Sequence, residues 1–154
     1  MVRYATLDDL NQINIIRKQV NDLHVKGYPN FFKPGFSQAI QEYAKEYINS
    51  NDKFLLVYED NGLICSYAMV NVVIKPETPY RYQLQYLEIE EIGTLQTQQG
   101  KGYAKEIIQN IKNIALERKL HKIELNMWNF NENASKFYEK VGFKTYRKYL
   151  EMIC

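Results

Sequence analysis

The stretch that most constrains the fold is residues 86–104, where a strand pattern leads through a glycine loop into a helix pattern. Apolar and acidic residues mix before the loop, which is typical of a half-buried strand. After it, apolar residues recur every three or four positions, the spacing of one helix face. Gly100 and Gly102 let a ligand approach the backbone closely. A helix N-terminus offers unpaired N–H groups, so the sequence predicts an anion site, most naturally for phosphate or pyrophosphate.

Spacing separates this loop from two common phosphate-binding loops. A nucleoside-triphosphate P-loop requires an earlier glycine and a Ser or Thr after its lysine, but Leu95 and Gly102 hold those places. A dinucleotide-binding turn requires a small third residue, and Lys105 stands there. Glu124 lies near the distance of a ribose-binding acid, so a dinucleotide-binding domain stays an alternative.

A third pattern, Q/R-x-x-G-x-G/A, fits residues 97–102 at every position except the first, which is Thr97. This segment resembles motif A of the GNAT superfamily, the acyl-CoA-dependent N-acyltransferases. Residues 131–143 resemble motif B of the same family, N-x-x-A-x-x-x-Y-x-x-x-G-F, at every named position. The resemblance implies an α/β (α+β) fold. Its sheet is mixed, mostly antiparallel and six- to seven-stranded, with about four flanking helices and a split between the motif A strand and the next.

The resemblance implies acetyl-CoA as the cofactor, held along the loop and the strand before it. Backbone N–H groups of the loop would bind the pyrophosphate, and the strand backbone would bind pantetheine beside a bulge expected at Gly93. Asn131 and Tyr138 share one helix face, with Asn131 toward pantetheine and Tyr138 as the proton donor to the leaving sulfur. The predicted cofactor-binding residues are Ile92, Thr94, Gln99, Gly100, Lys101, Gly102, Tyr103, Ala104, Asn131 and Tyr138.

Asn131 and Tyr138 could each have a structural role in place of the functional one. Tyr138 can pack against its apolar neighbours on an amphipathic helix, and Asn131 can cap that helix. The proton acceptor is predicted to be Glu90 or Glu91, a strand carboxylate acting through water, although such residues more often form a solvated strand face. His24 and His121 are further candidates for the base.

The predicted acceptor wall lies in the first two helices and the loop that joins them. Its substrate-binding candidates are His24, Tyr28, Phe31 and Phe32, an aromatic set that suits a small-molecule or peptide amine. No metal is predicted. The favoured function is an acetyl-CoA-dependent N-acetyltransferase. A catalytically silent acyl-CoA sensor or interaction module of the same fold is the alternative.

Composition sets the remaining expectations. A chain of 154 residues suits a single domain over residues 1–154, and a net charge of +2 does not favour nucleic acid or an anionic membrane as partner. Two cysteines form no disulfide framework and favour a cytoplasmic location. The family resemblance makes a homodimer through the C-terminal strands possible, and those strands are expected from Phe143 onward.

Overall fold

The computed structural model describes residues 1–154 and contains one five-stranded sheet with helices on both faces. The strands are β1 (Val2–Tyr4), β2 (Lys53–Asp60), β3 (Leu63–Lys75), β4 (Leu84–Thr94) and β5 (Ile123–Leu125). The helices are α1 (Leu10–Gly27), α2 (Gln38–Tyr43), α3 (Tyr103–Glu117) and α4 (Glu132–Lys140). The strands lie in chain order, antiparallel from β1 to β4 and parallel between β4 and β5.

The sheet separates two apolar cores. On one face, α3 packs its buried residues Ile107, Ile108 and Ile111 against β2, β3 and β4. On the other face, α1 and the segment after α2 bury Ile13, Ile16 and Tyr47. Burying each such side chain stabilises the fold by about 1.5–3 kcal/mol. Because alternate strand residues point to opposite faces of the sheet, the apolar positions on each face determine where a helix packs.

The antiparallel sheet excludes the dinucleotide-binding alternative. That fold requires an open, mostly parallel sheet with its cofactor at a strand-order reversal. Here only β5 is parallel to its neighbour, and α3 provides the crossover from β4. The mixed sheet, the four helices and the order of the motif elements confirm the predicted fold class.

A bulge in β4 lies at Glu90. Ile89 is paired with Val70 and Glu91 with Met69, so Glu90 has no partner in the ladder. The extra residue turns Glu90 and Glu91 toward the same face of the sheet, whereas neighbours in a regular strand point to opposite faces. The bulge that the sequence placed at Gly93 is therefore three residues earlier along the strand.

Gly93 itself is required by close packing. It stays in register opposite Tyr67. A Cβ added there would lie 2.8 Å from Cγ2 of Val20 and 2.9 Å from Cε1 of Tyr67. The absence of a side chain thus lets α1 lie directly on the C-terminal half of β4.

The predicted split opens between β4 and β5. The two strands pair only where Leu87–Ile89 meets Ile123–Leu125. Beyond Ile89, β4 continues to Thr94 with β3 alone as its partner. The edge of β4 that faces β5 is therefore unpaired along its last residues.

The predicted count of six to seven strands is wrong, because the segment after Phe143 forms no strand. This tail contacts β5 through side chains, with the Tyr146 hydroxyl donating to Glu124. Its apolar residues stay exposed, Leu150 at 92%. Without a buried face, the tail lacks the packing that stabilises a further strand pair.

Candidate active site

The glycine loop adopts the conformation that only glycine takes readily. Gly100 has φ +80° and Gly102 has φ +87°, both in the left-handed region. A Cβ added at either position would meet no atom within 4 Å. The space above the loop is therefore open, and the need for glycine here is conformational.

The start of α3 supplies a row of free hydrogen-bond donors. Gly102 is the residue before the helix and offers no side-chain cap. None of the backbone N–H groups from Gly100 to Lys105 donates to another protein group. The N–H of Gln99 makes only a long bond of 3.5 Å to the carbonyl oxygen of Gln96. Unpaired N–H groups at a positive helix end form an anion-binding site.

The open edge of β4 provides a second row of backbone groups. The N–H of Leu95 donates to the carbonyl oxygen of Cys65 at 2.8 Å, which fixes the phase of the ladder to β3. Residues in an antiparallel pair alternate between bonding the partner and facing away. Ile92 and Thr94 therefore present their N–H and C=O groups to the unpaired edge beside the split.

Two predicted cofactor residues direct their side chains elsewhere. The Nζ of Lys101 donates to Oε1 of Gln98 at 2.7 Å. The ring of Tyr103 stacks on Tyr58, with centroids 4.2 Å apart, and its hydroxyl donates to Asp60 at 3.2 Å. Both side chains are thus bonded to other protein groups. Each residue can still offer its backbone N–H to a ligand in the open space.

Helix α4 begins with the predicted asparagine. Oδ1 of Asn131 accepts the N–H of Ala134 at 3.2 Å, so the capping alternative describes its side-chain oxygen. Two turns later, Tyr138 packs between Phe137 and Phe143 at ring distances of 5.4 and 5.8 Å. Asn131 therefore has only its side-chain N–H groups left for a ligand.

The hydroxyl of Tyr138 has no hydrogen-bond partner in the protein, although its ring is packed. Burial raises the pKa of Tyr138 to about 12, since removal from water disfavours the phenolate. The group therefore stays protonated at neutral pH and free to donate to a ligand.

Glu90 lies in a cluster of donors. It accepts the Tyr43 hydroxyl at 2.6 Å, the Asn71 side-chain amide at 2.7 Å, and the Tyr47 hydroxyl. Burial opposes ionisation of Glu90, but the bonds from Tyr43, Tyr47 and Asn71 outweigh it and hold its pKa below the usual range. A cavity of about 360 Å³ adjoins this carboxylate, between α2 and strands β3 and β4.

Glu91 is the partner of a buried arginine. It accepts Nε of Arg17 at 2.9 Å and a second guanidinium nitrogen at 3.3 Å, and the Tyr67 hydroxyl donates to it at 2.6 Å. The Arg17 side chain is only 3% exposed and also donates to the carbonyl oxygen of Ile40. Sequence reasoning missed Arg17, yet its position one turn after Ile13 on the apolar stripe was a usable signal.

The four predicted acceptor residues lie together. The ring centroids of His24 and Phe32 are 5.2 Å apart, and those of Phe32 and Phe31 are 5.0 Å apart. The Phe31 ring stacks on Tyr28 with centroids 5.7 Å apart. Trp128, from the segment between β5 and α4, completes the set at 5.0–5.5 Å from Tyr28, Phe31 and Phe32. These five residues are called the aromatic cluster below. Trp128 was missed, and its being the only tryptophan was the available signal. His121 is exposed just before β5, away from the cluster.

A split mixed sheet, an open glycine loop and a tyrosine-bearing helix beside the split define the class of GNAT-like α/β proteins. The sequence model of the Acetyltransferase (GNAT) family matches residues 17–143, and the chain belongs to that family. This family uses acetyl-CoA, which confirms the predicted cofactor. The free loop amides and the unpaired edge of β4 fit the diphosphate and pantetheine arm of that molecule.

Solved structures share the fold at low sequence identity. A mutant of the BH1408 protein from Bacillus halodurans has a TM-score of 0.96 at 22% identity, covering 100% of this chain and 99% of that one. A transcriptional regulator from Bacillus halodurans C-125 has a TM-score of 0.72 at 22% identity, with the same coverage. The aminoglycoside N-acetyltransferase AAC(6')-Iy in complex with CoA has 0.77 at 14%, covering 100% and 93%.

None of the helices is long and apolar enough to span a membrane.

Proposed function

We propose that the protein is an acetyl-CoA-dependent N-acetyltransferase that acetylates a primary amine of a small molecule or peptide by direct attack in a ternary complex. The observation that carries the proposal is the row of unpaired amides from Gly100 to Lys105, which opens beside the unpaired edge of β4. Membership of the GNAT family and the fold of AAC(6')-Iy support the same activity.

The backbone holds the donor. The loop amides bind the diphosphate at the positive end of α3. The backbone of Ile92 and Thr94 would pair with the pantetheine arm as an added strand does, and a free N–H on this edge would stabilise the negative charge that develops on the acyl oxygen. When bound, acetyl-CoA supplies the activated acyl group.

Tyr138 acts as the general acid. Its hydroxyl is free of protein partners and its raised pKa keeps it protonated, so it can give a proton to the departing sulfur. Asn131 uses its side-chain N–H groups to bind the pantetheine arm while its oxygen caps α4.

The acceptor amine enters from the side of α1 and the aromatic cluster. Aromatic faces attract an ammonium group, and the carboxylates of Glu90 and Glu91 add negative charge on that side of the sheet. The assignment of Glu90 or Glu91 as the base stays a prediction, and His24 is a competing candidate. The single-domain assignment of residues 1–154, the homodimer and the cytoplasmic location also stay predictions.

Three measurements test the proposal. Acetyl-CoA is expected to raise the melting temperature of the purified protein, whereas NAD is expected to leave it unchanged. A panel containing an aminoglycoside, a polyamine and peptides with free N-terminal amines is then assayed for release of the CoA thiol. Titration of Trp128 fluorescence with each amine reports acceptor binding independently of turnover, because this tryptophan lies in the aromatic cluster.

A silent acyl-CoA-binding module is the second candidate. It is favoured by the shared fold of the Bacillus halodurans transcriptional regulator and by the full engagement of Glu90 and Glu91 within the protein. It predicts a heat shift with acetyl-CoA and no thiol release with any amine of the panel. Turnover with even one amine excludes it.

A further inference from the structure

We propose that His24 is the general base of this reaction and accepts the proton of the acceptor amine on its Nε2 atom. The inference rests on the proposed function and names a residue of the same site. It is carried by the position of His24 over the split, by its fixed tautomer, and by the engagement of both nearby carboxylates.

The position of His24 follows from the packing of α1 on β4. Val20 lies against Gly93, where an added Cβ would be 2.8 Å from Cγ2 of Val20. Gly93 stands between Ile92 and Thr94, whose backbone faces the open edge. His24 is one helical turn after Val20 and therefore on the same face of α1. Its side chain thus comes next to Val20, beyond the free edge of β4.

The other side of His24 reaches the start of α4. Its ring is 6.0 Å from Phe130, the residue before Asn131 at the start of that helix. A Cβ added at Gly27 would lie 2.2 Å from the same Phe130 ring, so α1 crosses the split in close contact with this segment. Phe130 comes just before Asn131, the first residue of the motif that also holds Tyr138 on α4. His24 therefore lies between the C-terminal half of β4 and the start of α4.

The tautomer of His24 is set by one hydrogen bond. Nδ1 lies 2.8 Å from the carbonyl oxygen of Val20. A carbonyl oxygen only accepts, so Nδ1 carries the hydrogen and the neutral ring has its lone pair on Nε2. No protein group bonds Nε2. The ring is thus oriented as a base, with the acceptor nitrogen left for a ligand.

The carboxylates on this side are occupied by protein donors. Glu90 accepts bonds from three side chains, Tyr43, Tyr47 and Asn71. Glu91 accepts from Arg17 and Tyr67. The bonds to Glu90 hold its pKa below the usual range, which makes it a weaker base. The lone pair on Nε2 of His24, in contrast, can accept a proton without displacing a protein donor.

The surroundings of the His24 ring are mainly aromatic. Phe32 packs on it from the loop and Phe130 from the segment before α4. No ionisable side chain bonds His24, and the Tyr28 hydroxyl donates to Glu151 at 2.8 Å. Charged or titratable residues on the elements that meet there include Arg17, Lys18, Asp22 and Lys26 on α1, Tyr28 and Lys33 in the loop, Glu90 and Glu91 on β4, Glu132, Lys136, Tyr138, Glu139 and Lys140 on α4, and Glu151 in the tail.

His24 and Tyr138 together account for every proton that moves in the reaction. The ammonium gives one proton to Nε2 of His24, and the freed electron pair forms the C–N bond to the acetyl carbon. The C–S bond breaks, and the sulfur takes the phenol proton of Tyr138. The phenolate of Tyr138 recovers a proton from the newly bonded nitrogen, and His24 releases its own to water.

Chemical rescue tests the proposal. In His24→Ala, kcat with the best amine of the panel is expected to fall about 100-fold or more, the size of a general-base contribution. Added imidazole is expected to restore activity, because it can enter the space left between Phe32 and Phe130. His121→Ala, the matched control at an exposed histidine, is expected to keep wild-type kcat and to show no response to imidazole.

His24→Gln keeps a polar side chain of similar length and is the second variant in case His24→Ala does not fold. We expect the same fall in kcat with an unchanged Kd for acetyl-CoA, and loss of the acidic limb in the pH profile of kcat/KM. Nitrogen NMR of the wild-type protein is expected to show His24 protonated on Nδ1 when neutral. The spectrum is simple because the chain has only two histidines.

Each result bears on a separate claim. Wild-type kcat in His24→Gln, or a fall in kcat that imidazole does not restore in His24→Ala, overturns the assignment of the base while leaving the acetyltransferase intact. A neutral His24 protonated on Nε2 also overturns it. Absence of thiol release with every amine in the wild-type protein overturns the proposed function, and the base with it.

Discussion

The donor side and the acceptor side of the split are built from different parts of the chain. On the donor side, the Gly100–Lys105 amides and the edge of β4 offer backbone groups with no protein partner. On the acceptor side, the side chains of Glu90 and Glu91 are bonded to other protein groups, and the rings of the aromatic cluster pack on one another. Backbone amides hold any diphosphate in the same way, whereas side chains can be exchanged to suit a different amine. We therefore expect the proposed donor site to be general and the proposed acceptor site to be specific to this protein.

The largest expected effect comes from removing the hydroxyl of Tyr138, the proposed general acid on the donor side. Tyr138→Phe is expected to lower kcat about 100-fold, because the leaving sulfur loses its proton donor. The Kd for acetyl-CoA is expected to stay within about threefold, since most of the proposed cofactor contacts are made by backbone groups. Tyr80→Phe, at a fully exposed tyrosine, is the control. An equal loss of binding and turnover in Tyr138→Phe would assign the residue to packing.

On the acceptor side, the largest expected effect is on stability. Glu91→Gln leaves the buried Arg17 charge without its partner, so we expect a loss of about 3 kcal/mol in the free energy of unfolding. Urea denaturation measures it. In the double variant Arg17→Met, Glu91→Leu the buried charge is gone, and most of the stability should return. If the single variant is as stable as the wild type, the pair does not hold α1 to β4.

A backbone site is expected to respond to backbone strain. Gly102→Ala forces a Cβ into the left-handed region, at a cost of about 1–2 kcal/mol, and should raise the Kd for acetyl-CoA about tenfold. Gly35→Ala introduces similar strain at φ +97° in the loop between α1 and α2, on the acceptor side, and serves as the matched control. Equally weakened binding in Gly35→Ala would show a global effect.

The smallest expected effect is a pH dependence on the acceptor side. The pKa of Glu90 is held below its usual value, so its contribution to stability is present above about pH 4.5 and is lost as the pH falls through the lowered pKa. Glu90→Gln should therefore lose less stability than wild type between pH 7 and acid, by urea denaturation. Glu139→Gln, at an exposed residue, should follow the wild type. Parallel curves for Glu90→Gln and wild type would contradict this account.

The local residue pattern was sufficient to predict the glycine loop and the order of the elements around it. The loop conformation and the free amides depend on Gly100, Gly102 and the start of α3, all within a few residues, so a local pattern is enough. The apolar stripes of α1 and α3 likewise follow from spacing alone. These features were predicted because the interactions that form them are close in the chain.

The contacts on the proposed acceptor side could be read only from the folded chain. Arg17 and Glu91 are 74 residues apart, and their pairing depends on a bulge at Glu90 that no local pattern marked. Trp128 joins the aromatic cluster from the opposite half of the chain, and the tail after Phe143 forms no strand because nothing buries it. Strand register, bulges and side-chain contacts across the sheet depend on how distant segments pack together, which a single sequence read locally does not specify.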